Sequence, residues 1–305
     1  MKVLLIGYGS IGRRHDEVLS SFAKINETHI VTKQTLADRV TFSALENVGN
    51  IQSYDYFLIA SETKKHYEQL CWLNEQVSGK KIFCEKPLFE KHYDLPPMNN
   101  QIYIGYVLRF HPILQKMKSL LDGQEVLTAN IACGSYLPSW RTNIDYRDSY
   151  SAKKAEGGGV LLDLSHELDY AAWLVGSLQE VKSYQAKVSD LEIDSDDLVS
   201  LVGKTDQKAI INLVMDYFSP SAHRLIRINT NTFTLEADLI KNELIQTHVN
   251  GEKDVFAFQR LQRNDMFQAM HHEILFNEQK NFVCTLGQGL SIMQTINTIQ
   301  EQNNE

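Results

Sequence analysis

Residues 2–12 read Lys2-Val-Leu-Leu-Ile-Gly7-Tyr-Gly9-Ser-Ile-Gly12, an apolar run that feeds straight into three glycines at GxGxxG spacing. The pattern predicts a buried strand, a tight turn and a helix start, the arrangement a dinucleotide's pyrophosphate requires. Gly7 permits the turn, Gly9 leaves room for phosphate to approach the backbone, and Gly12 lets helix and strand pack closely. The new helix points its unpaired N–H groups and positive dipole end at the phosphates.

Outward from this unit, residues 29–32, 56–60, 81–84 and 102–106 read as further short strands, with helical spacing over 64–77 and 112–121. Alternating short strands and helices predict a doubly wound parallel sheet over residues 1–118. The pattern then changes. Residues 126–132, 181–188, 197–203, 208–216, 223–230 and 232–237 carry β-branched alternation, which predicts an α/β second domain over 119–305 with a largely antiparallel, open sheet. Gly157-Gly-Gly159 opens an apolar helix running to about Val175, and 287–299 reads as a final helix ahead of a frayed polar tail.

The chain has 305 residues, is 43% hydrophobic and 22% charged, and has 30 basic and 38 acidic residues for a net charge of −8. No basic stripe marks a nucleic-acid partner. Cys71, Cys84, Cys133 and Cys284 show no metal-ligand spacing, so they read as reduced thiols with no metal site. No apolar run approaches the roughly 18 residues that span a bilayer, and no leader pattern opens the chain, so a cytoplasmic protein is expected.

Three further clusters carry chemistry. Glu85-Lys86-Pro87 follows a predicted strand at its C-terminal end, where open α/β sheets collect their ligands. There the Lys86 ammonium can polarise a substrate oxygen. Asp163, His166 and Asp169 recur every three residues on the predicted helix, and a carboxylate beside an imidazole raises its basicity. The segment 136–150 interleaves Trp140, Arg141, Tyr146, Arg147 and Tyr150, residues suited to stacking on rings and gripping anions. As a bare pattern it suits a structural arm equally. After the second strand, Thr32-Lys33-Gln34 contains no carboxylate to read a ribose 2′-hydroxyl, and Lys33 could pair with a 2′-phosphate, which favours NADP over NAD.

The order GxGxxG, Glu-Lys-Pro, then Gly-Gly-Gly with Asp and His resembles the Gfo/Idh/MocA family of NAD(P)-dependent oxidoreductases over nearly the whole chain. Residues 61–66 and Asp196-Asp197 add to the likeness. The resemblance implies a Rossmann domain followed by a substrate-binding and oligomerisation domain, and a homodimer or homotetramer. It makes Lys86 the catalytic lysine, His166 the acid/base and Asp163 its companion, although many members place the acid four residues before the histidine rather than three. Cofactor contacts are implied for Gly7, Gly9, Ser10, Ile11, Gly12, Thr32, Lys33, Ser61, Thr63, His66, Glu85 and Lys86. Substrate contacts are implied for Arg109, Trp140, Arg141, Tyr146, Arg147, Tyr150, Asp163 and His166. The implied reaction is hydride transfer between a nicotinamide and a secondary alcohol or ketone of a sugar or nucleotide sugar. The 136–150 pattern resembles members from bacterial surface-polysaccharide pathways. A redox-assisted lyase or glycosidase and a non-catalytic cofactor-binding regulator are the alternatives.

Overall fold

The computed structural model describes residues 1–141 and 143–303. In chain order the elements are β1 (Lys2–Ile6), α1 (Ser10–Ser20), β2 (Glu27–Val31), β3 (Thr41–Phe42), β4 (Tyr56–Ile59), α2 (His66–Gln76), β5 (Lys81–Cys84), β6 (Gln101–Ile104) and α3 (Pro112–Leu120). There follow β7 (Val126–Gly134), α4 (Val160–Asp163), α5 (His166–Val175), β8 (Leu178–Ala186), β9 (Leu198–Thr205), β10 (Ile210–Asp216), β11 (His223–Thr230), β12 (Phe233–Asp238), β13 (Glu243–His248) and β14 (Lys253–Ala257). The chain ends with α6 (Asp265–Phe276), β15 (Cys284–Thr285) and α7 (Leu286–Gln302).

Two compact units result, one comprising Met1–Phe110 with Leu261–Leu290, the other His111–Arg260 with Ser291–Glu305. The expected division at 118/119 therefore needs two changes. The first unit ends at Phe110, and residues 261–290 return to it. The linear pattern could not signal that return, because it is made by packing: Phe267, Met270, Ile274, Leu275 and Val283 join Val3, Leu5, Tyr56 and Phe83 in one buried cluster.

The first unit's sheet runs β15-β6-β5-β4-β1-β2-β3, parallel from β3 to β6 with β15 antiparallel at the edge. Its central strands are apolar on both faces, as a sheet covered on both sides requires. The second unit's sheet runs β14-β13-β12-β11-β7-β10-β9-β8, antiparallel except between β7 and β10. Ile131, Leu201, Leu213 and Ile226 are buried, whereas Val202, Val214, Leu225 and Tyr184 are exposed. Period-two alternation thus gives this sheet one buried and one open face.

The apolar helix expected from Gly159 to Val175 is two helices. Glu167 N–H donates to the Leu164 carbonyl and Ser165 N–H to that of Leu162, so the ladder tightens between α4 and α5. Asp163 closes the first helix and His166 opens the second. The final helix extends to Gln302, two residues into the tail expected to fray after Gln300, while Asn304 and Glu305 lie outside the described residues.

His111 caps α3, its Nδ1 accepting the Ile113 N–H at 3.2 Å. Burial, then Arg224, pushes its pKa down to about 4. As pH falls from the unfolded value near 6.5, the unfolded chain takes up the proton first, so stability is present above that pH and is lost toward about 4. We expect His111→Asn, which keeps a cap acceptor but does not titrate, to flatten the acid side of the stability profile by at most about 3 kcal/mol. Urea midpoints at pH 7 and 5 test this, and identical slopes in both proteins would refute it.

Candidate functional site

The glycine turn joins β1 to α1. Gly7 has φ +94°, and a β-carbon there would stand 2.6 Å from the Ala60 carbonyl oxygen and the Ser61 nitrogen. One on Gly12 would stand 2.3 Å from the Gly7 oxygen, whereas one on Gly9 meets nothing within 4 Å. Backbone packing therefore requires glycine at positions 7 and 12, whereas the space around Gly9 is open. Helix α1 starts at Ser10 and Ile11 with no side-chain cap and no acid in its first turn. That leaves its donors and positive end for an anion, so the residues present fit a dinucleotide pyrophosphate.

Beyond β2, Lys33 is exposed and Gln34 is tied down. Its amide donates to the Tyr8 carbonyl at 3.0 Å and accepts from Arg13 at 2.8 Å, while its backbone N–H donates to Thr32 Oγ1. The Arg13 guanidinium also lies over the Tyr8 ring, 5.6 Å from its centroid. The neighbouring acid Asp16 is occupied, accepting from Tyr8 Oη at 2.9 Å and Arg39 Nε at 3.2 Å. Sequence reading missed Arg13, although it directly follows Gly12.

At the ends of β4 and β5, Ser61 Oγ donates to Gln69 at 2.6 Å, and Thr63 opens a short helical turn. His66 is fully buried, with ring nitrogens at 3.2 Å from the carbonyls of Pro87, Leu88 and Ser61. Its pKa is pushed down by burial. With its single N–H, the neutral imidazole donates either to the Ser61 carbonyl or to the carbonyls of the turn after Lys86. Lys86 itself is half-buried, and its backbone N–H donates to Glu85 Oε2 at 3.1 Å. Arg109 is buried in the first unit, donating to Gln288 Oε1 at 2.8 Å.

In the second unit, the Gly157–Gly159 run brings the start of α4 against the end of the 136–150 segment. A β-carbon on Gly158 would lie 2.2 Å from the Tyr150 carbonyl, and one on Gly159 2.2 Å from Asp196 Oδ1. Gly159 N–H donates to the Ser151 carbonyl, and Asp196 caps α4 by accepting Leu161 N–H at 2.9 Å. Burial raises the Asp196 pKa. Asp197 accepts the Val188 and Ser189 backbone N–H groups. The acidic pair thus organises backbone.

The tight glycine approach sets Tyr150 beside Asp163. The buried Asp163 carboxylate accepts Tyr217 Oη at 2.6 Å, and Tyr150 also hydrogen-bonds to it. Burial, then this carboxylate, raises the pKa of both phenols, which stay protonated donors. Tyr217 escaped sequence reading, its only signal being its place at the end of an alternating strand. Trp140 meets Tyr217 edge-on at 5.2 Å, and Arg141 lies over the Tyr150 ring, 5.6 Å from its centroid.

The remaining basic residue of the segment is differently placed. Arg147 grips Asp145 through two nitrogens and donates to Glu192 at 3.0 Å, while Tyr146 Oη accepts the Glu192 N–H. Leu137, Trp140, Arg141, Ile144 and Tyr146 line a shallow recess. Among the described residues no group of three or more His, Cys, Asp or Glu side chains could hold a metal ion, and no helix is long and apolar enough to cross a membrane.

Comparison with known proteins agrees with this geometry. Residues 1–96 match the model of an oxidoreductase family with an NAD-binding Rossmann fold, and residues 114–236 match the GFO/IDH/MocA C-terminal domain. An uncharacterized oxidoreductase, YrbE, of Bacillus subtilis is 26% identical over 201 residues, 60% of this chain and 55% of that protein. One of Streptococcus pneumoniae is 26% identical over 147 residues, 45% of this chain and 38% of that protein. The matches thus span less than two thirds of either relative. Among solved structures, a levoglucosan dehydrogenase in complex with NADH superposes with a TM-score of 0.84 at 16% identity, covering 99% of this chain and 96% of the other. A UDP-N-acetylglucosamine 3-dehydrogenase from Acidithiobacillus ferrooxidans gives 0.78 at 16% identity, covering 99% and 97%. At such identities the likeness shows the fold, while the two family models together cover most of the sequence. A glycine turn shaped for a dinucleotide, an uncapped helix behind it and both family domains in order make this chain a member of the Gfo/Idh/MocA family of NAD-binding oxidoreductases.

Proposed function

We propose that this protein is a cytoplasmic NAD(P)-dependent dehydrogenase acting on a secondary alcohol of an acidic or nucleotide sugar, in the synthesis of a bacterial surface polysaccharide. The observation that carries the reading is the Glu85–Lys86 turn at the C-terminal end of β5, two strands from the glycine turn. The bound nicotinamide supplies the hydride acceptor. Lys86 supplies positive charge to the substrate oxygen as it becomes negative, and His166 takes the hydroxyl proton. Asp163 holds its two tyrosines in place, and Arg141 takes the anionic part of the substrate. Arg147, already neutralised by Asp145 and Glu192, braces the segment. Lys33, exposed after β2, and Arg13, held beside it through Gln34, favour the 2′-phosphate of NADP. The open sheet face, with Val214, Leu225 and Tyr184 exposed, suits pairing with a second copy of the chain.

Turnover of UDP-N-acetylglucosamine and levoglucosan with either cofactor tests these assignments. Net formation of NADPH, faster on the nucleotide sugar, is expected. Arg141→Ala should erase that preference and Lys33→Ala the preference for NADP, while Arg147→Ala keeps the first. Equal rates on both sugars in all proteins would leave a neutral substrate. A product of elimination without net reduced cofactor would establish a lyase, and cofactor binding without turnover a regulator.

A further inference from the structure

Beneath the Lys86 turn lies a chain of buried polar groups that the proposed reaction does not use. His15 Nε2 is 2.8 Å from Glu85 Oε1, His15 Nδ1 is 2.8 Å from His271 Nε2, and His271 Nδ1 is 3.0 Å from Tyr56 Oη. Tyr56, His15 and His271 are fully buried, and Phe83 and Phe267 pack edge-on against His15 at 5.1 and 5.5 Å. Three elements contribute: α1, whose first turn faces the dinucleotide site, α6 in the returning segment, and β4.

The direction of this chain follows from counting hydrogens. A carboxylate only accepts, so His15 Nε2 carries a proton and donates to Glu85. If His15 also carried a proton on Nδ1, His271 Nε2 would accept it and His271 Nδ1 would donate to Tyr56 Oη. The Tyr56 hydroxyl hydrogen would then point into the core, because His271 is its hydrogen-bond partner. Leaving a buried donor unmade costs more than the alternative, in which every group is matched. That alternative is Tyr56 O–H to His271, His271 Nε2–H to His15, and His15 Nε2–H to Glu85. Burial also pushes the His271 pKa well down, which keeps it neutral.

We propose that this one-way chain, Tyr56 to His271 to His15 to Glu85, positions the Lys86 turn. His271 and His15 act as positioning residues that fix the glutamate from below while its other oxygen holds the Lys86 amide. The inference rests on the reading of Lys86 as the residue that meets the substrate oxygen. Because His15 stands on the helix whose N-terminus receives the pyrophosphate, the chain also ties the cofactor helix to the lysine turn. Glu85 is further confined by Gly105, where a β-carbon would stand 2.9 Å from Oε2. With one oxygen on His15 and the other on Lys86 N–H, rotation of the carboxylate would break both bonds.

The test starts without a substrate. Imidazole ¹⁵N spectra of the wild-type protein should show His15 and His271 neutral and protonated at Nε2. A doubly protonated His15, or an Nδ1–H tautomer of either ring, overturns the proposal. In His271→Leu the Lys86 amide should exchange at least tenfold faster, with the Leu58 amide unchanged. In His271→Gln, whose amide still donates to His15, exchange should return toward wild type. Tyr56→Phe reports on the same amide if the leucine variant does not fold, with a smaller acceleration expected. Equal Lys86 exchange in every variant that folds overturns the proposal. Turnover of UDP-N-acetylglucosamine should fall at least tenfold in His271→Leu with NADPH affinity nearly constant, and recover in the glutamine variant. If wild type turns over no sugar, the dehydrogenase reading fails while the tautomer and exchange results still decide this one.

Discussion

Lys86→Ala and His166→Ala are each expected to lower turnover at least about 100-fold on the right sugar, the size of effect that follows loss of a charge-stabilising donor or a general base. Fluorescence titration of NADPH should find the cofactor bound nearly as tightly as before, because the glycine turn and the N-terminus of α1 are untouched. Asp163→Asn should be milder. Its carboxylate oxygen at 2.6 Å from Tyr217 becomes an amide, which can still present a carbonyl to one phenol. Near-normal turnover in His166→Ala would remove the histidine from proton transfer and leave Lys86 to be judged by itself.

The second large effect separates two glycines that look alike in sequence. Gly7→Ala places a β-carbon 2.6 Å from backbone atoms of Ala60 and Ser61 at φ +94°, so strand and loop must shift. Destabilisation of about 2–4 kcal/mol, with loss of cofactor binding, is expected. Gly9→Ala meets nothing within 4 Å, so the free protein should melt as wild type does, yet bind NADPH at least about tenfold more weakly because the methyl occupies phosphate space. Thermal unfolding beside cofactor titration reads both. Unchanged NADPH affinity in Gly9→Ala would place the pyrophosphate elsewhere.

Where a feature depends on neighbours in sequence, it was legible. Strand 81–84 and strand 223–230 appear with the bounds read from their patterns, and Gly7 makes the turn, Gly9 the helix cap and Gly12 the helix interior. The elements missed are those whose inward residues are polar or whose apolar residues are exposed. Helix α6 buries His271 and Glu273 among its apolar positions, which breaks the stripe. Strand β13 turns Gln246 inward, and β14 is an edge strand with Val255 exposed. Much the same holds for the site. Lys86 and Asp163 sit in local motifs, whereas Tyr217 reaches Asp163 across 54 positions and His271 reaches His15 across 256. Arg147, which its aromatic neighbours mark as a reader of anions, is engaged by Asp145 and Glu192.

The return of residues 261–290 to the first unit bears on how the molecule is made. Strand β6 has no neighbour on its outer edge until β15 arrives, and the buried cluster around Tyr56 and Phe83 lacks its α6 wall until Phe267, Met270 and Ile274 have been synthesised. The nested unit is almost wholly translated by then, since it begins at His111 and runs to Arg260 before its closing stretch. A ribosome-bound chain therefore holds an unfinished nucleotide-binding half until residues 261–290 have emerged, with apolar surface uncovered until then. Truncation after Arg260 removes from the N-terminal half its own wall, together with the histidine beneath its lysine turn.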